Sequence, residues 1–410
     1  MEEKNNKQTK VKMNTVSPRL AALSVSATLA MSQKSAELKA QGVDVINMSV
    51  GEPDFTTPDH IKAAAKQAID DNYSFYSPAA GFPELRKAIA AKLKRENGLD
   101  YPFSQIVVST GGKQAICNVI MSIIGPGDEV ILPTPYWVSY IEMVKLAEGK
   151  TVTVRTGINE DFKMTAAQLE TAITDKTKAL ILCSPSNPTG SVYTRDELRQ
   201  LAEVLARHPQ VYVLSDEIYE HINYVGKHET IAQFEEIRDR VVVINGVSKG
   251  YAMTGWRIGW IAAPEWIAKA CVKLQGQYTS GTCSVAQKAA EAAYTGDQAC
   301  VETMRRAFER RRDLIYSLMK EIPGLQVNKP KGAFYVFPKC SDLFGKRTPD
   351  GKTIGTAEDL AMYLLEHGHV AAVGGTSFGA PEYIRFSYAT SDENIARAVE
   401  RVKNAIALLK

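Results

Sequence analysis

"INGVSKGYAMTGWRIGW" runs from Ile244 to Trp260. It begins inside one apolar run, Val241–Asn245, and ends inside another, Ile258–Ala263. Between them Lys249 stands next to Ser248 and Gly250, with Gly246 upstream and Arg257 downstream. The interval is too short for a crossover helix with its loops, which takes a dozen or more residues. The two flanking strands are therefore expected to run antiparallel, joined by the loop that carries Lys249. A solvated loop lysine is the plainest reading of that residue, and only features elsewhere in the chain can overturn it.

Upstream lie five more candidate strands: "QIVVS" (105–109), "EVILP" (129–133), "TVTV" (151–154), "KALILC" (178–183) and "VYVLSD" (211–216). Several are continuously apolar, as strands buried on both faces should be. Helix-length segments separate most of them. "TRDELRQLAEVLARH" (194–208) opens with Thr194 as N-cap and Glu197 at capping-box spacing. This rhythm predicts an α/β fold with a mixed, mostly parallel seven-stranded sheet covered by helices.

After about residue 300 the pattern changes. Val301–Ile322 reads as one long amphipathic helix, with the basic run Arg310–Arg312 as its solvated face. "GAFYVFP" (332–338), a helix near 356–367, "YIRFSYA" (383–389) and a terminal helix from Ser391 follow. These predict a smaller, discontinuous α+β domain made of residues 16–50 and 310–410, with a large domain at 51–309. Residues 1–15 are polar and basic and lack the apolar core of a signal peptide. They read as a disordered tail, with a docking arm as the alternative.

The chain has 410 residues, 45% of them hydrophobic, and a net charge of +3. That length allows roughly two to three domains with a large core. The small net charge gives no electrostatic reason to expect nucleic acid or a membrane surface as partner. No apolar run approaches the ~20 residues of a membrane span. A soluble, cytoplasmic protein is expected. The six cysteines form no C-x-x-C pair and read as buried free thiols. The six histidines show no metal-ligand spacing, so no metal is expected; His367 and His369 read as helix-end residues.

Parallel sheets bind ligands beyond the carboxyl ends of their strands. After 105–109, Gly111–Gly112 opens a helix with free backbone N–H groups, which suits a phosphate. It is not a P-loop, since the spacing fails and Gln114 replaces Ser/Thr; a tight strand–helix turn is the alternative. After 129–133, Trp137 could stack on a flat ring or pack in the core. After 178–183, Asn187 lies between two prolines that stiffen the turn. Asp216 ends a buried strand, where a carboxylate is costly unless paired. A cationic ring nitrogen would suit it, with Tyr219 facing the same space; a helix N-cap is the alternative. An amine such as Lys249 becomes nucleophilic near other cations in a partly desolvated pocket, and Arg257 offers fixed donors for a phosphate. Together these describe a site for a phosphorylated aromatic aldehyde.

The motifs "VGEPDF", "YSPAAGFPELR", "GGKQA", "PYWVSY", "SPSNPTG", "SDEIYEH", "SKGYAMTGWRIG" and "IRFSYATS" occur in order. With them, residues 16–408 resemble a fold-type I, pyridoxal-phosphate-dependent class I aminotransferase of the bacterial aspartate aminotransferase subgroup. The resemblance implies pyridoxal 5'-phosphate as cofactor, held on Lys249 as an internal aldimine. It implies that Lys249 then shuttles the substrate proton. Asp216 would keep the pyridine nitrogen protonated, and Asn187 and Tyr219 would hydrogen-bond the 3-oxygen. Trp137 would stack on the ring. Gly111, Gly112, Lys113, Ser248 and Arg257 would surround the cofactor's phosphate side, joined by Tyr76 from the neighbouring subunit of a homodimer with shared active sites.

The resemblance also implies that Arg385 binds the substrate α-carboxylate, with Gly51, Trp137 and Asn187 beside it. Thr28 and Lys113 would bind a side-chain carboxylate. The implied reaction is ping-pong transfer between L-aspartate and 2-oxoglutarate, giving oxaloacetate and L-glutamate. The alternative is a broader range of aromatic, alanine or prephenate substrates. Relatives that accept prephenate often carry Lys-Pro-Ser before the Ala-Thr pair; here Ser24-Val25-Ser26 stands there, which counts against prephenate. Gly246 stands where some relatives have a phosphate-binding hydroxyl. A non-catalytic ligand sensor is disfavoured, because the basic residues of the tail are not organised as a helix-turn-helix.

Overall fold

The computed structural model describes residues 16–410. The expected disordered tail, residues 1–15, lies outside the described residues. The described residues form twelve strands in chain order: β1 (Ile46–Asn47), β2 (Ile106–Thr110), β3 (Glu129–Thr134), β4 (Lys150–Arg155), β5 (Thr177–Cys183), β6 (Tyr212–Asp216), β7 (Val241–Gly246), β8 (Ile258–Ala262), β9 (Tyr335–Val336), β10 (Val370–Ala371), β11 (Val373–Gly374) and β12 (Ile384–Ser387).

Strands β2–β8 form one seven-stranded sheet in the order β2-β8-β7-β6-β5-β3-β4. Only β8 is antiparallel, to β7 on one side and β2 on the other. The other pairs are parallel. The short connection from β7 to β8 thus has the consequence its length predicts. Continuous apolarity is explained by burial on both faces. Val241 and Val243 join one hydrophobic cluster, while Val242 and Ile244 join another on the opposite face. Thr194 caps the helix Arg195–Arg207 in a full capping box with Glu197.

A third cluster gathers the remaining elements. It takes Met31, Val45, Ile46 and Met48 from the first segment and Phe308, Ile315, Phe386, Ile395 and Val402 from residues 308–402. β1 pairs with β10, and β9, β11 and β12 make a small antiparallel sheet. The long helix spans Ala299–Met319 rather than Val301–Ile322.

The solvated basic face expected on that helix is only partly there. Arg310 is exposed, but Arg311 and Arg312 are buried. Consecutive helix positions turn by about 100° each, so three neighbours cannot share one face. Arg312 Nη1 donates to the Pro330 carbonyl (2.7 Å) and its guanidinium lies over the Tyr224 ring. All six cysteines are free, as expected; Cys271 and Cys340 are buried, whereas Cys283 is exposed beside a helix start. His369 takes the left-handed conformation that ends the helix Ala357–Gly368.

Candidate active site

The carboxyl ends of the parallel strands open into a cavity of about 260 Å³. Its lining includes Gly51, Gly112, Lys113, Trp137, Asn187, Asp216, Tyr219, Ser248, Lys249, Arg257 and Arg385, with Thr28 at its edge. Segments separated by hundreds of residues therefore converge as the motif order implied. Tyr76 does not join them: it is 96% exposed and outside this cavity.

Asp216 ends β6 and is buried. Tyr140 donates its hydroxyl to Oδ2 (2.5 Å), and the Ile218 N–H reaches Oδ1 (3.3 Å). The second contact makes a turn, not a helix N-cap, because residues 217–221 form no helix. Burial raises the Asp216 carboxyl to about 6, with the Tyr140 and Ile218 hydrogen bonds only partly opposing it. No cation bonds to it among the described residues.

Lys249 is half-buried and donates to the Gly51 carbonyl (2.5 Å). Burial lowers its amine to about 8; Arg257 and Arg385 push the same way, against Glu52 and Asp216. Arg385 is buried, with Nη1 on Asn187 Oδ1 (2.9 Å) and Nη2 on the Ser49 carbonyl (2.6 Å). Its Nε has no partner. The guanidinium is held between the rings of Tyr335 (4.6 Å) and Phe378 (4.9 Å). Tyr219 and Tyr335 share a hydroxyl–hydroxyl bond (2.7 Å).

The opposite end is built from backbone. Gly111 has φ +81°, and a Cβ there would lie 2.4 Å from Arg257 Nη2. A Cβ on Gly259 would lie 2.2 Å from the Gly112 nitrogen. The helix Gly111–Ile123 thus starts pressed against β8, with its first N–H groups lacking intrahelical partners. Arg257 is exposed, in the left-handed region at φ +60°, and Nη1 donates to the Thr254 carbonyl (2.8 Å). Lys113 holds its ammonium 5.1 Å from the Trp137 ring centre; burial and nearby Arg257 lower its proton affinity.

These residues fit a flat cationic ring carrying an anionic arm and a carbonyl. The buried carboxyl lacks a cation, free N–H groups and Arg257 await an anion, and an amine of reduced basicity lies between. Tyr140 and Tyr335 are site residues that the sequence reading passed over. Tyr140 lies inside the motif "PYWVSY" and Tyr335 inside the segment 332–338, but nothing in their spacing says what their hydroxyls meet. Folding also assembles two carboxylate–histidine groups invisible in the spacing, Glu96–Glu220–His221 and Glu217–Glu220–His228. Lys92 ion-pairs with Glu220 there.

The family model described as aminotransferase class I and II matches residues 43–402. A probable aspartate/prephenate aminotransferase of Rhizobium leguminosarum bv. phaseoli is 51% identical over 387 residues, covering 94% of this chain and 96% of that protein. The crystal structure of an aspartate aminotransferase from Rhizobium meliloti superposes with a TM-score of 0.93 at 44% identity, covering 97% of this chain and all of that one. An aspartate aminotransferase of Thermus thermophilus, solved with maleate, gives 0.90 at 42% identity, covering 96% and 100%. With the match extending over nearly the whole chain at these identities, this protein belongs to the class I and II aminotransferase family.

Proposed function

We propose that this chain transfers the amino group of L-aspartate to 2-oxoglutarate, giving oxaloacetate and L-glutamate by a ping-pong path with pyridoxal 5'-phosphate. The observation that carries the reading is the pairing, across one cavity, of an amine lowered to about 8 with a buried guanidinium whose Nε is free. The cofactor supplies an electrophilic carbonyl and an electron-withdrawing ring. Asp216 would hold the proton on the ring nitrogen. Lys249 takes a proton from the substrate Cα and returns it, a task suited to an amine titrating near neutrality. Asn187 and Tyr219 would hydrogen-bond the ring oxygen, and Trp137 would stack on the ring.

Gly111, Gly112, Ser248 and Arg257 hold the phosphate. Arg385 grips the substrate α-carboxylate through its fork of donors, with Gly51 beside it. Thr28 and Lys113 take the second carboxylate, which selects a dicarboxylic substrate. A second reading, prephenate as acceptor, is favoured by the name of the R. leguminosarum relative and opposed by Ser24–Val25–Ser26.

The working form is a cytoplasmic homodimer. Arg257, Trp256 and Thr282 line an open groove of about 900 Å³, and Phe75 and Tyr76 stand out into solvent, with the Phe75 carbonyl accepting from Ser284 (3.0 Å), two residues after Thr282. A second copy would bury these rings and bring its own Tyr76 to the phosphate. Residues 51–309 form the large domain, and 16–50 with 310–410 form the small one. Substrate draws the small domain inward, since Arg385 and Thr28 lie on it and Lys249 does not, which excludes water.

An amino-donor panel against 2-oxoglutarate, with prephenate as alternative acceptor, tests the assignment. Aspartate should lead, and a clear preference for alanine or phenylalanine would overturn it. Light scattering with and without Tyr76→Phe tests the shared site: a dimer is expected in both, with weaker cofactor binding in the variant.

A further inference from the structure

The segment Val50–Thr57 makes no backbone–backbone hydrogen bond. Side chains alone anchor it. Glu52 bonds Thr254, Thr57 donates to the Ala252 carbonyl (2.8 Å), and Trp256 donates to Thr57 (3.0 Å). The strap therefore lies along the loop that carries Lys249. Its Gly51 carbonyl receives Lys249, and the carbonyl of Ser49, the residue just before it, receives Arg385, two of the cations that line the cavity.

A single charged contact ties this strap to the long helix Ala299–Met319. Arg311 makes a bidentate pair with Asp54, Nη1 to Oδ1 at 2.7 Å and Nη2 to Oδ2 at 2.9 Å. Its Nε reaches Asp392 Oδ1 (3.3 Å), at the start of the helix Asp392–Ala407. The guanidinium also faces the rings of Phe55 (5.0 Å) and Phe308 (5.7 Å). All its nitrogens are used, and the group is buried. A lysine could not reproduce a planar fork stacked on rings.

We propose that Arg311 is a positioning residue for the reaction: by fixing Asp54 it sets the strap, and through the Ser49 and Gly51 carbonyls it aims Arg385 and Lys249. This rests on the aminotransferase reading above. Without Arg311, Asp54 has no partner, and on that side the strap, which lacks backbone bonds, keeps only the edge-on contact of Phe55 with Phe308 (5.4 Å), a non-directional hold that does not fix the carbonyls. Arg310, one residue away, pairs only with Asp392 and touches no part of the strap.

The test uses Arg311→Met, Arg311→Lys and Asp54→Asn, with Arg310→Met as control, all well below their melting temperatures. Maleate binding to the holoenzyme is measured by calorimetry. In the cofactor-free protein, reductive methylation of Lys249 is followed by mass spectrometry. Arg311→Met and Asp54→Asn should each weaken maleate about tenfold and speed Lys249 labelling about fivefold. Arg311→Lys should recover part of both, and the control should match wild type. If Arg311→Met does not fold, Asp54→Asn, which keeps the arginine, decides the question alone. Unchanged maleate affinity and unchanged labelling in a folded variant would overturn the proposal. Wild type that binds no maleate would refute the dicarboxylate reading instead, and the labelling rates would then decide the role of Arg311.

Discussion

Asp216 and Glu220 are two buried carboxyls on one stretch of chain, and their surroundings have opposite effects. Glu220 meets Lys92, and receives Asn97 Nδ2 (3.1 Å) and Asn245 Nδ2 (2.8 Å). Burial would raise it, but Lys92, with His221 and His228 beyond, holds it well below the ordinary carboxylate range. Asp216 has a phenol and one backbone N–H, and it sits at about 6. The first carboxylate is completed by its own chain and braces the turn. The second is left short of a positive charge on the side that faces the cavity. Burial and motif membership do not tell them apart; the missing partner does.

The comparison can be broken in order of expected effect. Lys249→Ala should cut turnover by at least about 10⁴-fold while the fold survives, because in the proposed reaction the same amine is nucleophile and base. Steady-state assays beside circular dichroism check this. Asp216→Asn should keep the fold and lose about 10²–10³-fold in turnover. Glu220→Gln should instead cost about 1–3 kcal/mol of stability, by leaving the buried Lys92 with only its longer pair to Glu96 (3.5 Å). Denaturant melts and kinetics on both variants decide it: a stable, inactive Glu220→Gln would erase the distinction.

pH sharpens it further in the cofactor-free protein. An unfolded aspartate loses its proton near 3.8, and Asp216 in the folded chain near about 6. The folded state therefore holds the extra proton between those values. Its stabilising contribution is complete below 3.8 and is lost as pH rises through 6. The change amounts to about 3 kcal/mol, and Asp216→Asn should flatten that part of the curve. The smallest effect is expected from Tyr140→Phe. It removes the one side-chain donor to Asp216, so the carboxyl should titrate higher, and turnover should fall about tenfold.

Much of this site was legible before folding, because strand ends are places as well as sequences. Once the seven apolar runs are assigned to one sheet, Gly111, Trp137, Asn187, Asp216 and Lys249 must share an edge. The antiparallel β8 followed from loop length alone. What periodicity cannot say is which group stands opposite a given face. Arg311 and Arg312 read as solvated because their partners, Asp54 and the Pro330 carbonyl, are distant or featureless in sequence. Lys92 and Glu220 meet across 128 positions. Tyr140 and Tyr335 carry hydroxyls whose targets only the packed chain reveals.

Gly246 ends β7 and pairs with Gly259 of β8. A Cβ there would lie 2.6 Å from the Ile258 carbonyl oxygen and 2.8 Å from Gly259 Cα, both fixed backbone of the adjacent strand. Substitution at this position alone is therefore closed, for natural drift and for a laboratory library alike. A serine at 246 becomes reachable only together with a change that moves β8, and β8 is pinned in turn by the tight contact of Gly259 with Gly112. Three glycines on three segments thus behave as one heritable unit, so variation at any of them should be read jointly.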